Sequence, residues 1–541
     1  MKKLLLLLCP FFASAQQTIG LFQNDSAAFD GYTLFSPITY TTTYLIDNCG
    51  RLVHSWPSTH RPGQSVYLLP DGKLFRTTSI ASTYFNAGGA GGGVEVLDWN
   101  GNVTWSYVFS DSAHRQHHDA LMLPNGHALL IAWELHQVAD AVSNGRNPAL
   151  LSGSMWSEQL IEVDTNTSSI VWSWHVWDHL VQHFDSTQAN YGVIADHPEL
   201  VNLNYTTQPS NFDDWLHMNA LDYNPQFDQI LVSIHNFSEF WIIDHSTTEA
   251  QAASHSGGTF GHGGDLLYRW GNPQTYGRGI AADQKFFGQH NVQWIDAGLP
   301  DAGKILVFNN GLNRPAGNYT SIEKLDPAVD GSGNYTSPGT LAYSPSATSW
   351  IYTANPPNSF FANIISGAQQ LPNGNIVFCN GPAGEFWEIG TNDSFVWHYI
   401  NPVNSTGTNT QGTVVSNNGT FRCTRYATTY SGLAGQTLTP GAEIELNPLP
   451  FNCTIYPETG VDEAAVLPSF EIFPNPAQTS CVIRCASLET AVRTQMEIMD
   501  LFGRLMLAQN AERTTQIDIR SLPAGIYFVR IGGAVRKLVI E

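Results

Sequence analysis

Leu68-Leu69-Pro70-Asp71-Gly72-Lys73-Leu74 decides how this chain is read. The phrase returns as Met122-Leu123-Pro124-Asn125-Gly126-His127-Ala128-Leu129 and as Gln370-Leu371-Pro372-Asn373-Gly374-Asn375-Ile376. Asp-Gly or Asn-Gly supplies a tight turn, and alternating apolar residues on either side supply two strands. A second phrase couples apolar-Glu-apolar-Asp to an apolar-x-Trp ending. It reads Val94-Glu95-Val96-Leu97-Asp98 with Val103-Thr104-Trp105, then Leu160-Ile161-Glu162-Val163-Asp164 with Ile170-Val171-Trp172, then Phe386-Trp387-Glu388-Ile389 with Phe395-Val396-Trp397. Two hairpins make a four-stranded sheet, and sheets recurring every roughly 40–60 residues predict the blades of an all-β propeller. About six blades fit between residues 40 and 450, and the uneven spacing also accommodates five or seven. A pair of β-sandwiches is the competing all-β arrangement.

Composition agrees with a turn-rich β protein. The 541 residues include 47 Gly, 29 Pro, 15 Trp, 20 Tyr and 28 Phe, and only 13% are charged. The formal net charge of -22 repels nucleic acid and anionic lipid, so neither is expected as a partner. Any site for an anion must be built locally from His, Arg and amide donors.

Met1-Lys2-Lys3, the apolar run Leu4 to Phe12 and Ala13-Ser14-Ala15 read as a signal peptide, residues 1–15, with cleavage after Ala15. Six cysteines follow: Cys49, Cys379, Cys423, Cys453, Cys481 and Cys485. Export permits disulfides, and Cys423 with Cys453 is the expected pair. Cys481 and Cys485 share one face of one strand, a poor geometry for a bond between them.

Histidine phrases stand before three of the predicted blades. They are Gln116-His117-His118-Asp119-Ala120, Asp213-Asp214-Trp215-Leu216-His217-Met218-Asn219 and Phe287-Gly288-Gln289-His290-Asn291. A fourth histidine, His235, ends the strand Ile230-Leu231-Val232-Ser233-Ile234. If the inner strand of each blade lines a central channel, these imidazoles converge at one mouth of it. Such a set can hold a metal, with Asp119 as ligand or orienter, or supply a nucleophile for sulfuryl or phosphoryl groups. No HExxH spacing and no Walker-type glycine loop occur, so neither a catalytic metal nor a nucleotide cofactor is expected. Tyr268, Trp270, Phe286 and Phe287 are expected to stack on an aromatic substrate.

These phrases, with the continuation Ala220 to Ser233 and Val292 to Ile295, resemble the bacterial arylsulfate sulfotransferases over most of residues 30–450. The resemblance implies transfer of a sulfuryl group from an aryl sulfate to a phenolic acceptor in two half-reactions. It implies His290 as the transiently sulfated nucleophile. It also implies His217 and His118 (or His117) as oxyanion stabilisers or general acid/base groups, and Asn219 as a further donor. Better-known members carry an arginine at the end of the ILxS strand, where this chain has His235. His235 itself, or Arg269, Arg278 or Arg314 from a loop, is expected to supply the cation. Arg269 has a competing reading as a loop-stabilising ion pair. A non-catalytic propeller that binds carbohydrate or phenolic ligands, and a metal-dependent hydrolase or lyase, are the alternative functions.

The texture changes near residue 455. Pro457, Glu458, Gly460, Asp462 and Glu463 read as a linker. The organisation expected is a propeller over residues 16–455, a linker over 456–468 and a small β-sandwich over 469–541. Phe473-Pro474-Asn475-Pro476-Ala477, Asp500-Leu501-Phe502-Gly503-Arg504 and Leu522-Pro523-Ala524-Gly525-Ile526-Tyr527-Phe528-Val529-Arg530-Ile531 resemble the C-terminal sorting domain of type IX secretion. That implies the type IX secretion machinery as a partner and a secreted or cell-surface location.

Overall fold

A computed structural model describes residues 16–209, 212–450, 452–457, 470–485, 495–499, 505–510, 514–531 and 534–541. The expected signal peptide and most of the expected linker lie outside the described residues. The chain divides into two compact units, Met1–Tyr456 and Pro457–Glu541.

The first unit is a six-bladed propeller. Each blade is an antiparallel sheet. Blade 1 runs outward through Pro62–Leu68, Leu74–Ser79, Gly92–Leu97 and Val103–Val108. Blade 2 holds His114–Met122, Ala128–His136, Met155–Asp164 and Ser169–His175. Blade 3 holds Met218–Asn224, Gln229–Ile234, Glu239–Asp244 and Tyr268–Trp270. Blade 4 holds His290–Trp294, Ile305–Asn309, Ser321–Leu325 and Trp350–Thr353. Blade 5 holds Gly367–Gln370, Ile376–Asn380, Glu385–Ile389 and Phe395–Ile400, with Gly20–Asn24 added outside. Blade 6 takes its inner strand, Thr420–Ala427, from the far end of the unit. Its other three strands, Gly31–Pro37, Thr43–Ile46 and Leu52–Trp56, come from the beginning.

The Leu-Pro-Asp/Asn-Gly phrases each turn from an inner strand to the second. Leu69, Leu123 and Leu371 donate their amides to the carbonyls of Lys73, His127 and Asn375 at 2.7–2.8 Å. Gly72, Gly126 and Gly374 take the left-handed conformation (φ +83°, +84° and +91°) that closes such a turn and that Gly adopts at low cost. Between the blades, apolar faces pack in clusters. Leu129, Ile131, Leu160 and Trp174 of blade 2, for example, pack with Leu221, Ile230, Val232 and Trp241 of blade 3. That burial of inter-blade surface is the main favourable term in a fold with few charges.

Blade 6 closes the ring by joining the two ends of the unit, so ring closure depends on pairing residues about 390 apart, as in Thr33 with Arg425. A disulfide reinforces it. Cys453 is bonded to Cys49, in the turn between two strands of blade 6, and not to Cys423 as expected. Cys423 sits buried on the inner strand of that blade and Cys379 on the second strand of blade 5, and both are free. Alternation along a strand decides this: Cys423 faces the core, whereas Cys49 stands at a turn that the chain end can reach.

The second unit is a two-sheet sandwich. Phe470–Phe473, Ser480–Cys485 and Thr514–Asp518 form one sheet. Leu505–Asn510, Gln495–Met499, Gly525–Ile531 and Ala534–Ile540 form the other. Phe470, Ile483, Ile517, Ile498, Val529 and Ile531 fill its core. Among the described residues no helix is long and apolar enough to cross a membrane.

The Cys49–Cys453 bond closes a loop of 404 residues. Replacing both cysteines by Ser is expected to lower the thermal midpoint of the first unit, with a ceiling of about 5 kcal/mol from the chain entropy released. Thermal unfolding of the two proteins, with non-reducing peptide mapping of the native one, checks both the pairing and its effect.

Candidate functional site

The inner strands of blades 2, 3 and 4 begin with irregular backbone. In blade 2, Ala120 faces Leu130 and Gln116 faces Ala132, so His117, His118 and Asp119 bulge out of the ladder. In blade 3 the register slips at Asn219, and in blade 4 at Asn291 and Val292. His118, His217 and Asn291 have left-handed backbones, with φ of 47°, 55° and 47°. Such conformations in residues other than Gly store strain, and strain of this kind gathers at functional sites.

The irregular strand heads, with His235 from the turn after the second strand of blade 3, bring five histidines into one row. Ring centroids are 5.2 Å apart for His117–His118, 4.6 Å for His118–His217, 5.3 Å for His217–His235 and 5.3 Å for His235–His290. His117, His118 and His290 are buried, and His217 and His235 keep partial access to solvent.

Hydrogen bonds orient each ring. His290 Nδ1 lies 2.9 Å from Asn310 Oδ1 and 3.2 Å from Gly288 O. The Asn310 amide nitrogen donates to the carbonyls of Ala362 and Ile365, so its oxygen must face the imidazole. Both neighbours of Nδ1 therefore accept, Nδ1 carries the proton, and Nε2 keeps its lone pair. His235 repeats the device. Its Nδ1 lies 2.9 Å from Asn236 Oδ1, and Asn236 donates to the carbonyls of Asp214 and Trp215. His217 donates Nδ1–H to Asp214 at 2.6 Å, and Asp214 is held by the Trp133 indole N–H at 3.1 Å.

His118 is oriented through a relay. Its Nδ1 lies 2.8 Å from His117 Nδ1, and His117 Nε2 lies 2.7 Å from Glu158, with the His117 ring stacked on Trp133 at 3.9 Å. Burial, and after it the Asp214 carboxylate, pushes the Glu158 carboxyl well above its ordinary range. With a proton on Glu158, His117 accepts at Nε2 and donates from Nδ1, so His118 accepts at Nδ1 and presents Nε2–H.

Burial first, and then the neighbouring imidazoles, lowers His117, His118 and His290 well below the ordinary imidazole value and brings His235 to about 4. The row is thus held mostly neutral. A neutral imidazole is a nucleophile, and an imidazolium is not.

The loop of residues 80–91 covers the row from blade 1. Arg115 holds it with bonds to the carbonyls of Ile80, Tyr84, Phe85 and Gly91 at 2.8–3.3 Å. Gly89 stands against the His118 ring so closely that a Cβ there would fall 1.9 Å from Cε1.

Other expected residues stand elsewhere. Arg269 is buried, with its guanidinium on Glu239, Thr275 and the carbonyls of Pro198 and Leu200. Arg278 binds the carbonyls of Ala195 and Leu341, and Arg314 binds Tyr319 O and Ser321. None of these partners belongs to the histidine row, so the three arginines act as braces. Tyr268, Trp270 and Phe286 pack in the core around blades 3 and 4, because their apolar faces are the inter-blade surface there. Phe287 alone of that set is half-exposed, under Arg314. Asn219 donates to Gln289 O at 2.8 Å, and its buried Oδ1 has no partner.

Asp119 neither ligates nor orients a histidine. It accepts from Tyr67 Oη (2.8 Å), Leu221 N (3.2 Å) and Arg422 Nη1 (2.7 Å), and Arg422 also donates to Tyr67 Oη and Asn219 O. This knot ties the inner strands of blades 1, 2, 3 and 6 together. Sequence reasoning passed over Glu158, Asn310 and Arg422, and left Asp214 and Asn236 without roles. Asn236 and Asn310 do carry a signal. Each follows the second strand of a blade by one or two residues, beside a histidine in space.

A family profile for arylsulfotransferase (ASST) matches residues 22–419, and one for the secretion system C-terminal sorting domain matches residues 471–541. No curated protein matches the chain. Among solved structures, a protein of unknown function from Bacteroides caccae is 12% identical, covering 68% of this chain and 93% of its own, with a TM-score of 0.37. Hydrazine synthase of Kuenenia stuttgartiensis is 13% identical over 55% of this chain and 67% of its own, with a TM-score of 0.33. Virginiamycin B lyase from Staphylococcus aureus is 9% identical over 71% and 89%, with a TM-score of 0.32.

His235 gives a test of the row's electrostatics. Its folded value of about 4 lies below the unfolded value of 6.5. Between these the unfolded chain binds a proton that the folded chain refuses, so the contribution is full above about pH 6.5 and is lost as pH falls toward 4. The native protein should lose thermal stability relative to His235→Gln across that window. A difference that stays flat with pH would show that the ring is not held neutral.

Proposed function

The chain belongs to the arylsulfotransferase family and ends in a sorting domain that directs it to secretion or the cell surface. From that premise we propose that it moves a sulfuryl group from a phenolic sulfate ester to a phenolic acceptor through a sulfo-histidine on His290, with no nucleotide donor. The observation that carries this reading is the amide cradle around His290. Asn310 and Gly288 hold the proton on Nδ1, and burial keeps the ring neutral, so Nε2 is available to attack.

In the first half-reaction the Nε2 lone pair attacks sulfur in line. The bond from sulfur to the aryl oxygen breaks, and the phenoxide leaves with the electron pair. The positive charge formed on the sulfated imidazole is shared through Nδ1–H with Asn310 and Gly288. His118, presenting Nε2–H through the Glu158–His117 relay, donates to a sulfuryl oxygen where negative charge gathers. His235 takes the place of the family's arginine. Its Nε2 is free, and the arriving anion favours a proton there.

His217 moves the proton. The Asp214 carboxylate at 2.6 Å can balance an imidazolium formed at this ring, an arrangement that suits a general acid and base. It protonates the departing phenoxide when that group is basic enough to need it. In the second half-reaction it takes the proton of the acceptor phenol, whose oxygen attacks sulfur and releases His290. Both donor and acceptor are small phenolic molecules.

Rapid mixing with an aryl sulfate, followed by intact-mass measurement, should show one added sulfuryl group in the native protein and none in His290→Ala. Full turnover of a chromogenic aryl sulfate with phenol by His290→Ala would overturn the assignment. Asn310→Leu releases Nδ1 from its acceptor, and turnover should fall by about 100-fold or more while the fold persists.

A further inference from the structure

Two excursions leave the propeller beside blades 2 and 3. One spans residues 176–217, after the outer strand of blade 2. The other spans residues 245–267, between the third and fourth strands of blade 3. They meet at a cluster of His179, His255 and Asp265, whose candidate ligand atoms all lie within 4.8 Å of one another. We propose that this cluster is a binding site for one first-row divalent cation, zinc foremost, held by Nδ1 of His179, Nδ1 of His255 and the Asp265 carboxylate.

The hydrogen bonds of His179 carry the argument. Its ring is buried and lies parallel to Trp174, with an interplanar angle of 8°. Nε2 stands 2.8 Å from Ala252 O. A carbonyl only accepts, so Nε2 carries a proton, and Nδ1 is the ring atom left to face Asp265 and to serve as a ligand. Nδ1 stands 2.7 Å from Asp265 Oδ1, so a proton bridges the two until a cation takes its place. His255 Nδ1 lies 2.8 Å from the same oxygen. Three candidate ligand atoms thus converge, and a cation among them would replace the bridging protons and bind all three at once. Ligand atoms around a tetrahedral zinc stand about 3.3 Å apart, so each nitrogen–oxygen separation would open by about half an ångström.

The surroundings fit the same reading. Donation of the second ring nitrogen to a backbone carbonyl is the usual support for a ligating histidine, because it fixes both tautomer and ring plane. Gly264 packs on the ring so closely that a Cβ would fall 2.5 Å from Nε2. Two imidazoles with one carboxylate suit zinc and its neighbours, whereas calcium and magnesium prefer oxygen throughout. The cluster opens on a cavity of about 910 Å³, lined also by Asp178, His197, Glu199 and His262. A fourth coordination position can therefore hold water or an exchangeable ligand. None of the three residues takes part in the histidine row, so the site stands independently of the sulfuryl-transfer reading. The cation would clip the two excursions to each other.

The test uses the full chain, freed of any histidine tag and stripped with chelator. Titration with Zn²⁺, followed by elemental analysis after gel filtration, should recover one equivalent per chain, and Co²⁺ should give a visible d–d band. Zn²⁺ should raise the thermal midpoint by on the order of 5 °C. His255→Ala removes a ligand whose side chain is 62% exposed, so the variant should fold. It should weaken metal binding by about 100-fold or more and abolish the Co²⁺ band. Asp265→Asn should do the same, and His118→Ala should leave the equivalent in place. A native chain that holds no zinc, or a His255→Ala variant that binds it as tightly as the native chain, would overturn the proposal.

Discussion

An imidazole has to reach the pore from a strand whose side chains alternate strictly, and this constraint shapes the centre of the molecule. A regular inner strand would send neighbouring residues to opposite faces. Inserting extra residues at the head of three inner strands breaks the alternation, and left-handed backbones at His118, His217 and Asn291 re-aim the side chains. Each such residue costs about 1–3 kcal/mol of strain. The ladders on either side of each bulge and the bonds to each ring hold the strained conformation in place.

Two polar systems divide the axis between them. In the histidine row burial keeps His117, His118, His235 and His290 neutral, and Asp214, Asn236, Asn310 and the Glu158–His117 pair orient the rings. Below it, Asp119 and Arg422 form a charged knot that joins four inner strands and is fully bonded on the Asp119 side. Burial works against the Arg422 charge, and the Asp119 carboxylate and the Tyr67 hydroxyl together more than offset it. The knot satisfies a carboxylate and a guanidinium with each other, although the Arg422 charge still reaches His290 and lowers it. A loose anion there would compete with a sulfuryl oxygen for the same donors.

Much of the fold was legible because repeated turns have a local cause. Asp-Gly and Asn-Gly at fixed offsets from alternating apolar residues specify hairpins without help from distant parts of the chain, and a ring of five to seven sheets follows from their recurrence, while the count of six comes from the tertiary structure. The histidine phrases were legible for the same reason: each marks the start of an inner strand. Tyr268, Arg269 and Trp270 were misplaced: they stand on the outer strand of blade 3, away from the channel. Tyr268 and Trp270 pack toward blade 4, and Arg269 on the opposite face bonds Glu239, Thr275 and the carbonyls of Pro198 and Leu200. The expected Cys423–Cys453 bond failed likewise, since a cysteine within an inner strand faces the core while one at a turn meets the chain end.

Sequence alone determined the all-β repeat, the positions of the imidazoles and the two-part organisation, since each is written in residues close together along the chain. The tertiary structure decided what those imidazoles can do. Which nitrogen of His290 carries the proton depends on Asn310, 20 residues away, and the donor at His118 depends on Glu158, 40 residues away. A tautomer is a property of the partner a ring meets in space, and only closure of the blades around the axis supplies those partners.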